Sequence, residues 1–124
     1  MKIGELSQRT GMSAHTIRYY EQIGLLPVSE RDGGGQRRYD ASILDWIEFL
    51  SRLKQTGMPI REMLRYAKLR EKGEETNSQR RLLLEERRQF VREHIAELQS
   101  CLLVLDRKIA TYAKAEQRTQ QDDK

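Results

Sequence analysis

The chain has 124 residues, of which 34% are charged and 37% hydrophobic, with a formal net charge of +4. These values fit one small domain with a helical extension better than a compact enzyme. A single cysteine, Cys101, excludes an intrachain disulfide framework and an all-cysteine metal site. Because no apolar run of about 20 residues and no signal-peptide core is present, we expect a cytoplasmic protein with no membrane association.

The positive charge is concentrated in the first part of the chain. Residues 1–70 contain 12 Lys and Arg against 8 Asp and Glu, whereas residues 71–124 contain 11 of each. This distribution predicts that an anionic partner such as DNA binds the N-terminal part.

The N-terminal residues predict a helix-turn-helix. A short helix around Glu5–Arg9 leads to a turn at Gly11–Met12, and a second helix follows over about Ser13–Gln22. The serine is placed to cap the second helix, while Gly24 and Pro27 are placed to end it. The spacing also fits a simple helical hairpin, so the side chains of the second helix must decide between the two.

The second helix carries side chains well suited to DNA: hydroxyls, an imidazole, a guanidinium and two phenols within two to three turns. We predict that DNA is contacted by Ser13, His15, Thr16, Arg18, Tyr19 and Tyr20. Ile17 remains as the apolar anchor. The ring of Tyr20 has the alternative of folding inward to the core.

Residues 28–39, VSERDGGGQRRY, predict a small β-hairpin, here called the wing. Three consecutive glycines form its turn, and Arg31, Arg37 and Arg38 lie on both sides of the tip. These arginines are suited to gripping phosphates beside the groove that the second helix enters. The alternative is a disordered Gly-rich linker.

Two amphipathic helices follow and are expected to bury the core of the first domain. Asp40 is placed to cap a helix over about residues 41–56, and a second helix starts after Met58-Pro59 and ends at Gly73. Their apolar stripes are Ile43, Trp46, Ile47, Leu50 and Leu53, and then Ile60, Met63, Leu64 and Ala67.

From about residue 76 the chain predicts one long helix reaching at least Ala115, because no Pro or Gly follows Gly73. Steps of three and four residues define an apolar seam consisting of Leu84, Val91, Ile95, Leu98, Leu102, Leu105, Ile109 and Tyr112. Such a seam, about four heptads long, indicates a coiled coil with a second copy of the chain. Packing against the first domain is the alternative for residues 82–90.

Three segments resemble the MerR family of transcriptional regulators: IGELSQRTGMSAHTIRYYEQIGLL at 3–26, RDGGGQRRYD at 31–40 and MPIREMLRYAKL at 58–69. The resemblance implies a mainly α fold, with a winged helix-turn-helix DNA-binding domain over 1–73. A dimerisation helix over 74–116 would pair antiparallel as a coiled coil, and we expect the polar tail, 117–124, to fray.

The resemblance also implies a function. A homodimer would bind a pseudo-palindromic promoter site and respond to a small effector by bending and untwisting the promoter spacer for RNA polymerase. By motif, Thr16, Arg18 and Tyr19 would contact the DNA from the recognition helix. Arg31, Arg37 and Tyr39 would hold its backbone from the wing. Activation and repression both remain open.

The effector is not identified by the residues. The cysteines of the metal-sensing relatives are absent from Glu74–Arg81 and from the residues after Cys101, so we expect no metal site and no cofactor. WIEFL at 46–50 and RYAKLREKG at 65–73 resemble the aldehyde-responsive subgroup, but Arg52 stands where that subgroup has a reactive cysteine. We expect Cys101 to be a small residue beside the seam.

Two other classes of protein compete with this interpretation. A coiled-coil adaptor or architectural protein would use the basic hairpin for a nucleic acid other than promoter DNA. An enzyme is not expected, because the chain has two histidines, one cysteine and no phosphate-binding loop or nucleophile motif.

Overall fold

The computed structural model describes residues 1–122. In chain order, the elements of these residues are α1 (Ile3–Thr10), α2 (Ala14–Gln22), β1 (Glu30–Arg31), β2 (Arg37–Arg38), α3 (Ile43–Gln55), α4 (Ile60–Glu71), a 3₁₀ turn (Gly73–Thr76) and α5 (Asn77–Asp122). The chain divides into two compact units, Met1–Glu85 and Glu86–Lys124. Within residues 1–122, no helix combines the length and apolar character needed to cross a bilayer.

The predicted helix-turn-helix is present as α1 and α2. Gly11 ends α1 with φ +74°, in the left-handed region that favours glycine, and its N–H donates to the Ser7 carbonyl at 3.0 Å. The Ser13 hydroxyl accepts from the Thr16 N–H at 3.1 Å, which confirms the predicted N-cap of α2. The turn is thus fixed by local chemistry at both ends.

The core of the first unit joins these helices to α3. Leu6 of α1 and Ile17 of α2 are fully buried, and they pack in one cluster with the five predicted apolar residues of α3. The Trp46 Nε1–H donates to the Leu25 carbonyl at 3.0 Å and ties α3 to the segment after α2. The core therefore supports α2 from behind and leaves its other face free.

The wing is an ordered hairpin and not a disordered linker. The strands β1 and β2 pair antiparallel, with Glu30 opposite Arg38 and Arg31 opposite Arg37. At the tip, the Gly35 N–H donates to the Asp32 carbonyl at 3.0 Å and Gly35 has φ +80°. Because this backbone needs a left-handed residue, the glycines serve the turn.

The middle helices differ from the predictions in two details. The helix α3 begins at Ile43, two residues later than predicted, and the Asp40 carboxylate accepts from the Ser42 N–H at 3.1 Å in the turn that leads into the helix, which agrees with its predicted capping role. Ile60 is exposed at the start of α4, whereas Met63, three residues later, is buried in the core. Tyr66, which is not in the predicted stripe, is buried, and its ring stacks on that of Trp46 with 5.9 Å between the centroids.

A hydrogen-bonded turn connects α4 to α5. The buried Thr76 hydroxyl donates to the Leu69 carbonyl at 2.6 Å, and the Arg80 guanidinium donates to the Gly73 carbonyl at 2.9 Å. Leu83 and Leu84 then pack against the core of the first unit. Leu84, which was predicted in the dimer seam, therefore contacts its own chain here, as the alternative for residues 82–90 allowed.

The helix α5 continues without interruption over 46 residues. The helix runs through Asp122 in the described residues, and the expected fraying of 117–124 stays a prediction; Asp123 and Lys124 lie outside the described residues. The seam side chains from Ile95 to Tyr112 are 49–65% exposed. Such a row of exposed apolar side chains is costly in water and marks an interaction face.

Candidate nucleic-acid interface

The face of α2 opposite the core carries the predicted DNA-contacting residues. The side chains of Ser13, His15, Arg18 and Tyr19 are exposed, while Thr16 is half-buried and shares a hydroxyl–hydroxyl hydrogen bond of 2.9 Å with Ser13. Ser13 is therefore occupied chiefly with capping the helix.

Tyr20 lies at the edge of this face. It is half-buried, packs against the core, and its ring lies 6.1 Å from that of Tyr19 at an interplanar angle of 44°. The structure thus agrees better with the alternative that the Tyr20 ring folds toward the core than with the prediction that it contacts DNA. Its packing supports the ring of its exposed neighbour.

The wing brings further basic side chains to α2. His15, Arg18 and Tyr19 from α2 and Arg31 and Arg37 from the wing line one open groove of about 610 Å³, here called the recognition groove. Among the described residues, the Arg18 guanidinium makes no hydrogen bond or ion pair and is available to an anionic partner. Two separate segments thus face one surface, as a DNA interface requires.

Arg38 does not belong to this groove. Because successive residues of a strand point to opposite faces, Arg37 faces α2 and Arg38 faces a second cavity, lined by Tyr39, Trp46 and Arg70 among others. The Arg38 Nε lies 3.8 Å from a carboxylate oxygen of Asp32. The structure separates two arginines that the sequence treats alike.

The wing tip is held by Asp32. Its carboxylate accepts from the N–H groups of Gln36 at 3.0 Å and Gly34 at 2.9 Å, and these hydrogen bonds hold the pKa of Asp32 below its ordinary value. Arg31 donates to the Gly35 carbonyl at 2.8 Å and braces the same turn.

Glu21, at the end of α2, binds the wing. One carboxylate oxygen accepts from both the N–H and the hydroxyl of Ser29 at 2.6 Å, and the other accepts from the Tyr39 hydroxyl at 3.0 Å. The Arg37 Nε lies 3.4 Å from the second oxygen. Burial alone would raise the pKa of Glu21, but the hydrogen bonds and Arg37 together lower it below 4.5.

The prediction that Tyr39 faces the DNA needs correction. Its side chain is only 4% exposed and belongs to the core cluster, and its hydroxyl is used by Glu21. Burial and this hydrogen bond raise the pKa of Tyr39 above 10.0. Tyr39 supports the wing from inside, because an aromatic ring after a short strand is drawn into the adjacent apolar core.

Four residues of the recognition groove are not among the predicted site residues: Glu21, Gln22, Val28 and Ser29. Among these, Val28 is 84% exposed. The chain leaves the core at Pro27, directly after the buried Leu26. Only the folded structure shows that the next residues lie beside α2.

A helix-turn-helix and a basic wing that share one groove define a winged helix-turn-helix DNA-binding protein. Comparison with known families agrees: residues 1–69 match the model for the MerR HTH family regulatory protein, and residues 44–108 match the model "MerR, DNA binding". The chain belongs to the MerR family of transcriptional regulators, which confirms the resemblance and the predicted fold class.

Individual relatives support the same conclusion. An uncharacterised HTH-type regulator of Haemophilus influenzae is 38% identical over 109 residues, 88% of this chain and 81% of its own length. The regulator AdhR of Bacillus subtilis is 35% identical over 72% of this chain and 64% of its own length.

Solved structures match over nearly the whole chain. A MerR-family regulator from Listeria monocytogenes has a TM-score of 0.89 and 36% identity, covering 98% of this chain and 92% of its own. HiNmlR, a MerR-family regulator lacking the sensor domain, is bound to promoter DNA and has a TM-score of 0.82 and 36% identity, covering 93% and 91%. This chain is a DNA-binding transcriptional regulator of that family.

Proposed function

We propose that the protein binds a pseudo-palindromic promoter site as a homodimer, each copy placing α2 in one half-site. The observation that carries this proposal is the recognition groove, where Arg18 is free and His15 and Tyr19 are exposed beside the wing arginines. The side chains of α2 would reach base edges in the major groove, and Arg31 and Arg37 would hold the flanking phosphates.

The second part of the proposal is the dimer. The exposed seam from Ile95 to Tyr112 supports pairing of α5 with a second copy, because apolar side chains at heptad spacing are typically covered by another helix. The family resemblance favours an antiparallel pair. Two recognition helices related by a two-fold axis then match a two-fold symmetric site.

The third part concerns transcription. A dimer held across the promoter spacer would bend and untwist it, and so align the promoter elements for RNA polymerase. Bending a site of about 20–30 base pairs costs on the order of 1–6 kcal/mol, which protein–DNA contacts are able to supply. A small effector would set the balance between the bent and unbent states; its chemical class is open.

The test is a footprint of the purified protein on genomic fragments from its source organism. The expected result is protection of a short inverted repeat within a promoter, weakened in Arg18→Ala and retained in Arg107→Ala, a matched loss of charge on α5. Protection without sequence preference would contradict the proposal and favour the adaptor or architectural protein.

A further inference from the structure

The connection between α2 and the wing is concentrated on one carboxylate. Among the described residues, every hydrogen bond or ion pair that joins α2 to residues 29–39 ends on Glu21. Its partners are Ser29, Arg37 and Tyr39, which lie 8 to 18 residues later in the chain.

The wing also has internal hydrogen bonds and an attachment to the start of the chain. Asp32 and Arg31 brace the tip, and the backbone of Tyr39 exchanges hydrogen bonds with Met1. These contacts keep the hairpin folded and attach it to the start of the chain. Glu21 therefore supplies the polar contacts that join the wing to α2, beside the packing of the Tyr39 ring in the core.

Glu21 itself is poorly suited to touching DNA. Its side chain is only 9% exposed, and a carboxylate offers no donor to a phosphate. Its negative charge lies in a basic groove, where its effect on DNA is partly offset by Arg37 at 3.4 Å. A buried carboxylate with hydrogen bonds to Ser29 and Tyr39 and an ion pair with Arg37 fixes the positions of these side chains.

We infer that Glu21 is a positioning residue that holds the wing against the recognition helix, so that both meet the same stretch of DNA. This inference rests on the proposed function. It makes a distinct claim, namely that loss of Glu21 releases the phosphate contacts of the wing while α2 continues to read the bases.

The test compares Glu21→Gln and Tyr39→Phe with the wild-type protein. Glutamine has the same shape and keeps one carbonyl acceptor for Ser29, but its amide group lacks the acceptor that Tyr39 and Arg37 use. Tyr39→Phe removes a single hydrogen bond to Glu21 and keeps the ring in the core. Glu30→Gln is the matched control, because Glu30 is an exposed wing carboxylate without these contacts.

Two readouts separate positioning from general instability. In hydroxyl-radical footprints, Glu21→Gln should lose protection of the phosphates at the wing, while methylation interference at the bases read by α2 persists. The slope of log affinity against log salt should become shallower by about 1 for each lost phosphate contact. The affinity should fall about tenfold, less in Tyr39→Phe and not in Glu30→Gln.

Several results would overturn the inference. Unchanged wing protection or tighter binding in Glu21→Gln would show that the wing is held by other means. A uniform loss of wing and base contacts would show that Glu21 does not position the wing selectively. If Glu21→Gln fails to fold, full wing protection in Tyr39→Phe would overturn it as well. A wild-type protein without any specific footprint would instead contradict the proposed function.

Discussion

Arg18 and Arg37 both line the recognition groove, but their guanidinium groups have different surroundings. Arg37 lies 3.4 Å from Glu21, whereas Arg18 has no hydrogen bond or ion pair among the described residues. A free guanidinium on an exposed helix face has no intramolecular contact to lose on binding. Arg18 is therefore the strongest candidate for a direct contact with DNA.

We expect Arg18→Ala to weaken specific binding by about 1–3 kcal/mol, because each good base contact contributes about that much discrimination. Tyr19→Ala should have an effect in the same range. The measurement is a titration of labelled operator against each variant at fixed salt. Affinity equal to that of the wild type would remove the residue from the interface.

A second prediction at this scale concerns pH. The folded state lowers the pKa of Glu21 below 4.5. The ionised carboxylate therefore stabilises the fold at pH values above the pKa that Glu21 has in the unfolded chain. This contribution should disappear as the pH falls through the lower, folded value. Chemical unfolding should show wild type more stable than Glu21→Gln at about pH 7, and the difference should shrink as the pH falls below 4.5. A gap independent of pH would mean that the charge of Glu21 is not involved.

At the scale of elements, α5 leaves the longest row of apolar side chains exposed among the described helices. Its seam side chains from Ile95 to Tyr112 remain 49–65% exposed, and the buried apolar cluster lies in the first unit. A partner helix that covers the seam would bury the exposed half of each leucine, which is worth roughly half of the 1.5–3 kcal/mol for complete burial. Dimerisation should therefore depend on a few central positions.

We expect Leu98→Asp combined with Leu105→Asp to give monomers, because two buried charges would face the partner helix. The control is Ser100→Asp combined with Arg107→Asp, which has the same spacing on the opposite face of α5. Sedimentation velocity measures the outcome. A dimer that survives the leucine changes would show that the seam is assigned to the wrong face.

The direction of the two helices is a separate prediction. With Cys101 replaced by Ser, a spin label at Lys114→Cys reports the distance between the two copies. In an antiparallel pair centred near Leu102 the labels should lie about 40 Å apart, since each residue rises about 1.5 Å. A parallel pair would place them roughly 20 Å apart, because the helix axes are about 10 Å apart and Lys114 lies on the outer face of each helix; electron spin resonance distinguishes these values.

At the scale of the whole molecule, the proposal links two interfaces: the recognition groove binds DNA and the seam sets the spacing of two such grooves. Neither interface alone explains transcriptional control. A dimer that held two half-sites at a fixed separation would impose its own geometry on the DNA between them. The cost of that distortion depends on the sequence and length of the spacer.

The corresponding prediction uses the promoter. If the protein activates by distortion, shortening the spacer between the polymerase-contact elements to its ordinary length should raise transcription without the protein. The same deletion outside the protected site is the control. In vitro transcription with purified RNA polymerase measures both templates. Continued dependence on the protein with the shortened spacer would contradict distortion and favour recruitment.

The sequence by itself determined the features that depend on close neighbours. The Ser13 cap, the glycine stop after α1, the wing turn and the α3 stripe each need only a few adjacent residues, because capping, turns and helical periodicity are local. The long uninterrupted α5 followed from the absence of Pro and Gly in the same way. Family membership also followed, since its motifs are contiguous.

Only the tertiary structure decided which way side chains at the edges of elements face. It placed Tyr39 in the core, assigned Arg37 and Arg38 to opposite faces of the wing and left Ile60 exposed. It also brought Glu21 to residues as many as 18 positions away. These outcomes depend on contacts between distant segments, so their free energies are not encoded in any short stretch of the chain.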